Sequence, residues 1–508
     1  MSAPLKPSAT FPLILLFLTP LAGSAADLMN PIRIETGLIQ GVFNHENNVV
    51  SFKGIPYAAP PVGDLRWREP QPPLKWEGVR KADTFGASCP QIRFGTDTPV
   101  PGTSEDCLFL NIWAPAKPVA EKLPILFFVH GGNYQFGSGN MNGAGMAEQG
   151  IIFISVNCRL GRFNSTGHPE LTKESPLRSS ANYGSLDLIA ALKWIQRNIT
   201  AFGGDPAKVT ISGHSTGASN VHYLTASPLA KGLFRGLIAI SFPYDFLMKP
   251  DAIGNLWQAE QGGLALAKSR NLKTLAELRA IPAAELLKGG GGPTYASPVY
   301  PLNYPTALDK GLTSDVPTLA GMTSDDYGPP AEHDPYTDLA LFKKRVARKC
   351  PAEKLDAVMA EYPATTNAEA RGMWKKLGNE FRMADIFDWA TTRSKTAKTP
   401  VYTYLFTHAQ PLEPKRGAYH GSDLFYQFND VADPSKPWRE VDRQVARQVS
   451  AYWANFVKTG NPNGPDLPEW PAFDPNVPST MILNDHPAFR PIANNRKAWD
   501  LLHQKNPN

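Results

Sequence analysis

The stretch "VTISGHSTGASNVHYLTAS", Val209 to Ser227, holds a serine between two glycines at the spacing G-x-S-x-G. That pattern alone also fits a serine in an ordinary turn, so its neighbours decide. "VTIS" is an apolar, β-branched run that reads as a strand, and "ASNVHYLTAS" reads as a helix. A serine on a tight strand-to-helix turn needs flanking positions free of side chains, which Gly213 and Gly217 provide. Such a turn lifts the Ser215 hydroxyl clear of the sheet. It also aims the N–H of Thr216 and the start of the helix at one spot, where negative charge is stabilised.

Working outward, further strand candidates are "PILFFVHGG" from Pro124, "IIFISVN" from Ile151, "LIAIS" from Leu237, "PTLAGMT" from Pro317 and "VYTYLF" from Val401. Amphipathic helices lie between or after them, notably Ser185–Ile199 and Trp438–Lys458. Near-continuous apolar strands separated by helices predict an α/β fold, a mostly parallel sheet with helices on both faces. Residues from Ile32 to about Gly102 read instead as short hairpin strands and a Pro-rich meander. Two mainly helical stretches, about 245–315 and 328–398, read as a cap over the site, with "GGGG" at 289–292 a flexible loop within it. No linker separates domains, so residues 27–508 read as one domain.

A serine hydroxyl needs a base at neutral pH. On a turn of this kind the acid follows in the chain, and then the histidine. "GAYHGSDLFYQF" puts His420 in a polar loop after a strand; His408 competes, but it lies at the end of that strand. "PTLAGMTSDDYG" ends a strand in Asp325 and Asp326. Either carboxylate could accept from the histidine Nδ1–H and stabilise the imidazolium. "FFVHGGNYQFG" follows a strand with Gly131, Gly132 and Asn133, where N–H groups can approach a substrate carbonyl closely. Tyr134, next in that loop, and His214, inside the serine turn, are candidates for the pocket wall.

Residues 1–26 read as a secretory signal peptide, with Lys6 before the apolar run "FPLILLFLTPLAG" and small residues ahead of Asp27. The run is too short to span a bilayer. The expectation is a secreted or periplasmic protein without stable membrane insertion. Export makes the cysteines candidates for disulfides. Cys89 and Cys107 flank a Pro/Gly-rich loop and are the expected pair. Cys158 reads as a buried free thiol, and a bridge from it to Cys350 has no local support. The net charge of +5 is small for 508 residues. No basic run interleaves with aromatics, so nucleic acid is not an expected partner. No His/Cys cluster has metal-ligand spacing, and no metal or cofactor is expected. Nothing in the sequence sets an oligomeric state.

Two longer stretches make the chain resemble the type-B carboxylesterase family, the group that includes cholinesterases and bacterial para-nitrobenzyl esterases. "FGGDPAKVTISGHSTG", Phe202 to Gly217, is similar to the family's serine signature, and "EDCLFLNIWAP", Glu105 to Pro115, to its second signature. "FKGIPYAAPPVGDLRW" (52–67) and "YWANFVKTGNPN" (452–463) extend the likeness from about Ile32 to Phe473. The resemblance implies an α/β-hydrolase fold and hydrolysis of small-molecule carboxylic esters through an acyl-enzyme, with no cofactor. Carried over by motif, it implies Ser215 as nucleophile, His420 as base and, counting from Gly321, Asp326 as acid. It implies Gly132, Asn133 and Thr216 as the oxyanion hole, a Cys89–Cys107 disulfide, and an Arg66–Glu105 ion pair beneath the loop.

Some residues depart from the family pattern. His214 stands where Glu is usual, Asn133 where Gly or Ala is usual, Asp326 is a methylene shorter than the usual Glu, and Tyr327 replaces a glycine. A histidine at 214 removes a negative charge and, at its ordinary pKa of about 6.5, can gain a positive one. That reading expects tolerance of acidic acyl groups; the other is that His214 only fills a hydrogen-bonding slot behind the serine. Two further functions use the same fold: an inactive adhesion protein, and an acyltransferase or amidase with the same triad.

Overall fold

The computed structural model describes residues 27–491 and 501, leaving out Phe94, Asp97, 118–120, Pro243, Ala252, Tyr327, Pro329, Pro330, Pro335, Lys349 and Pro478. The signal peptide expected at 1–26 lies outside the described residues, as does Tyr327 beside the acid.

An 11-stranded sheet runs in the order 488–491, 479–483, 401–406, 318–323, 236–240, 204–214, 123–129, 152–156, 109–115, 49–56 and 42–44. From strand 479–483 to strand 152–156 every neighbouring pair is parallel. The remaining neighbours pair antiparallel. The fold is thus of the mostly parallel α/β kind that the apolar runs predict. Strands 152–156, 236–240 and 318–323 are buried at every position, as strands covered on both faces must be.

Side-chain alternation divides the core between the two faces. Leu237 and Ala239 pack with helices Tyr183–Asn198 and Thr216–Thr225. Ile238 and Ile240 pack with helix Glu440–Thr459. Strands Phe109–Pro115, Ser479–Leu483 and Ala488–Pro491 are additional to the runs singled out in the sequence. Short or edge strands carry too little apolar periodicity to stand out.

The segments read as a cap hold helices Leu256–Ser269 and Asn367–Ser394, each opened by a capping box. The "GGGG" loop does not hang free. Gly290 O accepts from Gln135 Nε2 at 2.8 Å and Gly291 O from Asn164 Nδ2 at 2.8 Å, close against the 131–136 loop. Glycine permits this approach, because a Cβ on Gly290 would sit 2.2 Å from the backbone of Gly161.

Arg159 and Arg66 are buried in ion pairs. Arg159 binds Asp187 through Nε and Nη2, at 2.9 and 2.7 Å, with both side chains nearly inaccessible. Arg66 pairs with Glu105 and donates to the carbonyls of Arg279 and Ile281. Asn164 and Asn198 each begin an N-x-T triplet, but both are buried with their side chains engaged in hydrogen bonds.

Cys89 and Cys107 form a disulfide, and Cys158 and Cys350 are buried free thiols. The bridge closes a loop with a sequence separation of 18. Loop entropy makes such a closure worth about 3 kcal/mol. Replacing both cysteines by alanine is expected to lower the denaturation midpoint correspondingly in guanidinium melts. A midpoint equal to the parent's would show that the bridge adds nothing.

Candidate active site

Strand Gly204–His214 ends directly at Ser215, and helix Thr216–Thr225 begins directly after it. Ser215 has φ 56° and ψ −126°, a conformation that L-residues avoid and hold only where the surroundings enforce it. The flanking glycines make the tight turn possible. A Cβ on Gly213 would lie 2.2 Å from the carbonyl oxygen of Gly217, and one on Gly217 would lie 2.2 Å from that of Val129. The N–H of Ser215 is held by Ile240 O at 2.8 Å, on the neighbouring strand.

The two aspartates after strand 318–323 do different things. Asp326 Oδ1 accepts from His420 Nδ1 at 2.8 Å, and its Oδ2 accepts from Thr323 Oγ1 at 3.2 Å. Asp325 faces away. It pairs with Lys375 of helix Asn367–Ser394, accepts from Ala418 N at 2.8 Å and bridges to Tyr419. Asp325 thereby ties the acid turn to the histidine loop. His408, the competing histidine, binds Asp442 in a separate buried pair.

Burial by itself would raise the Asp326 carboxyl. The hydrogen bond and charge of His420, helped by Arg382, outweigh it and hold the group well below the usual carboxylate range. Burial would likewise lower His420, but Asp326 raises it above its ordinary value. Behind the pair, burial and the charge of Asp326 push Asp423 up to about 7; its Oδ2 receives Tyr404 OH and Gln427 Nε2.

The glycine loop closes on the serine. A Cβ on Gly131 would sit 2.7 Å from Ser215 Cβ. Asn133 and Tyr134 have φ 52° and 59°, and Gly132 has φ 119°. Asn tolerates the left-handed region, so the loop forms without the usual small residue at 133. Tyr134 N donates to Thr216 Oγ1 at 3.4 Å and its hydroxyl donates to Ser219 Oγ at 2.7 Å.

Asn133, Tyr134, Ser215, Thr216, Phe242, Asp326, Arg382 and His420 line one cavity of about 410 Å³. A larger cavity of about 520 Å³, bordered by Tyr57, Lys193 and Arg197, contains neither the serine nor the histidine. Its size does not make it the reaction site.

His214 differs from its expectation. Its ring lies behind His420, with centroids 4.5 Å apart, and is not part of the cavity wall. Burial, then the neighbouring His420, pushes it down to about 3, so it is neutral at working pH and brings no positive charge. Its Nε2 is buried without a hydrogen-bond partner, so it fills no hydrogen-bonding slot there either.

Residues 29–499 match the carboxylesterase family. The chain belongs to that family. It is 32% identical to the fumonisin B1 esterase of Sphingopyxis macrogoltabida, over 90% of this chain and 86% of that protein. It is 30% identical to the para-nitrobenzyl esterase of Bacillus subtilis, over 86% and 92%, and 31% identical to the human cocaine esterase, over 92% and 90%. A solved PNB esterase superposes with a TM-score of 0.77 at 27% identity, covering 93% of this chain and 99% of that one. The fold is the α/β-hydrolase fold, and the protein is a carboxylic ester hydrolase. The family match, the esterase relatives and the solved neighbour together favour ester hydrolysis over the inactive adhesion reading.

Two wall residues are not picked out in the sequence. Arg382 sits in "WKKLGNEFRMADIFDW", where a charge reads as a solvated helix face. Phe242 lies two residues past strand 236–240. The rule that ligands gather at the carboxyl ends of parallel strands points to that position.

The two aspartates separate in a titration. Asp326→Asn removes the anion facing Nδ1, so His420 is expected to titrate lower than in the parent by NMR. Asp325→Asn keeps that bond and is expected to lower Tm through the lost Lys375 and Ala418 contacts. A downward shift of His420 in the 325 variant alone would reverse the assignment.

Proposed function

We propose that this carboxylesterase is exported and works through an acyl-enzyme on Ser215. The observation that carries the reading is the Asp326–His420 hydrogen bond, 2.8 Å, on the wall of the cavity that also holds the strained Ser215. Nδ1 of His420 is engaged by Asp326, which leaves Nε2 to accept the serine proton. The Ser215 oxygen adds to the ester carbonyl. The backbone N–H groups of Gly132, Asn133 and Thr216 then stabilise the oxyanion. His420 returns the proton to the leaving alcohol. Water, deprotonated by the same histidine, releases the acid and restores the serine. The helical segment 328–398 acts as a cap, since its Arg382 reaches the cavity wall, and segment 245–315 adjoins the glycine loop through Gly290 on Gln135. The Cys89–Cys107 bridge supports export, because disulfides persist in oxidising compartments.

The names of the relatives point to quite different esters, fumonisin B1, para-nitrobenzyl esters and cocaine. Family membership therefore selects the bond cleaved and not the groups on either side of it.

Ser215→Ala is expected to fold normally and to lose ester turnover roughly a thousandfold or more. A folded variant with most of its activity would mean another nucleophile. The base must be neutral to accept a proton, and its pKa is raised above the ordinary value of about 6.5. kcat/KM is thus expected to rise with pH through an apparent pKa above 6.5 and to fall away below it. A profile flat from pH 5 to 8 would exclude His420 as base.

A further inference from the structure

Among the described residues, the cavity wall carries one guanidinium. Arg382 lies in the second half of helix Asn367–Ser394 and borders the same space as Ser215, Thr216 and His420. Among the described wall residues, Asp326 and His420, the other groups that carry charge near neutral pH, are engaged with each other. Asp326 is 2% exposed, with both oxygens accepting hydrogen bonds. Among the described wall residues, then, there is a permanent cation and no carboxylate left to face a substrate. His214 adds no anion beside the serine, where a glutamate would. Phe242 and Tyr134 add aromatic surface to the same wall. The guanidinium acts electrostatically on both Asp326 and His420, so it stands close to the reacting centre.

We propose that Arg382 determines specificity, and that the preferred substrates are half-esters of short dicarboxylic acids whose free carboxylate it receives while Ser215 meets the ester carbonyl; this rests on the Ser215 reading above. A guanidinium receives a carboxylate through two parallel hydrogen bonds, and it stays charged at every working pH. Fixing the far end of a short acyl chain also fixes where its carbonyl lies, which converts binding into orientation. The alternative role for Arg382 is to steady the charge of Asp326. That role serves neutral and anionic esters alike, so the ratio between them distinguishes the two.

The experiment compares kcat/KM for monomethyl glutarate and methyl pentanoate, which share acyl chain length, in the parent, Arg382→Lys and Arg382→Met. The ratio of half-ester to neutral ester is expected to fall about thirtyfold in Arg382→Met, the effect of losing a charge-assisted hydrogen-bond pair. Arg382→Lys keeps the charge without the planar fork, and its ratio is expected to fall about fivefold. Calorimetric titration of glutarate into Ser215→Ala is expected to show binding that Ser215→Ala/Arg382→Met loses. A ratio that stays within threefold of the parent in both single variants overturns the proposal, whatever the common loss of rate. If Arg382→Met does not fold, the Arg382→Lys ratio decides alone. Turnover that survives in Ser215→Ala would bring down the nucleophile assignment, while the ratio would still decide the role of Arg382 independently.

Discussion

The backbone at Ser215 can hold φ 56° and ψ −126° because three glycines around it leave room that any side chain would fill. Gly213 and Gly217 are pressed together across the turn, Gly217 is pressed against Val129 O, and Gly131 meets Ser215 Cβ. A strained residue of this kind costs of order 1–3 kcal/mol. The parallel sheet holds it by clamping both sides: strand 123–129 pairs with 204–214, and Ser215 N is bonded to the end of strand 236–240. The same close approach that strains the serine brings the 131–134 loop over it. One steric constraint therefore sets both the proposed nucleophile and the proposed oxyanion donors.

The acid and the histidine are joined in a second way, by sheet register. Thr323 pairs with Phe406 at the ends of adjacent parallel strands. Beyond them the pairing continues into the loops, with Ser324 N on Phe406 O, Asp325 N on Ala418 O, and Asp325 Oδ2 receiving Ala418 N. Lys375 locks the turn from the cap side. This short, tightly held turn explains how Asp326, a methylene shorter than the family's usual glutamate, still reaches His420 at 2.8 Å. The backbone, not the side chain, spans the distance.

What is legible in the sequence follows from these two constraints. Continuous apolar runs are the signature of doubly covered strands, so 123–129, 152–156, 236–240, 318–323 and 401–406 can be read directly. The glycine spacing marks the turn at Ser215, because only glycine fits there. Asp325 and Asp326 cannot be told apart by residue type or context, since both follow the same strand. Only the count from Gly321 chooses between them, and the choice depends on which side chain turns inward. Arg382 is illegible for another reason: its helix alternates charged and apolar residues with no periodic sign of which charge meets a cavity. The "GGGG" loop reads as free because glycine runs signal flexibility, yet the same lack of side chains allows close packing when a partner backbone lies opposite.

His214 stands where the serine turn meets the histidine loop. At an interaction distance of 4.5 Å, two positive imidazoles would repel by roughly 4 kcal/mol at an effective dielectric near 20. His420, as the proposed base, would become an imidazolium during the reaction and could not tolerate such a neighbour. Deep burial prevents it, since desolvation keeps His214 neutral down to a pH of about 3. The cost is a polar nitrogen, Nε2, left without a partner. His214 therefore adds neither the negative charge of a glutamate nor a positive charge of its own. The only fixed electrostatic asymmetry on the described cavity wall, beyond the Asp326–His420 pair, comes from the guanidinium of Arg382. In the proposal above, charge selection, which a glutamate in the serine turn would supply, falls to helix Asn367–Ser394.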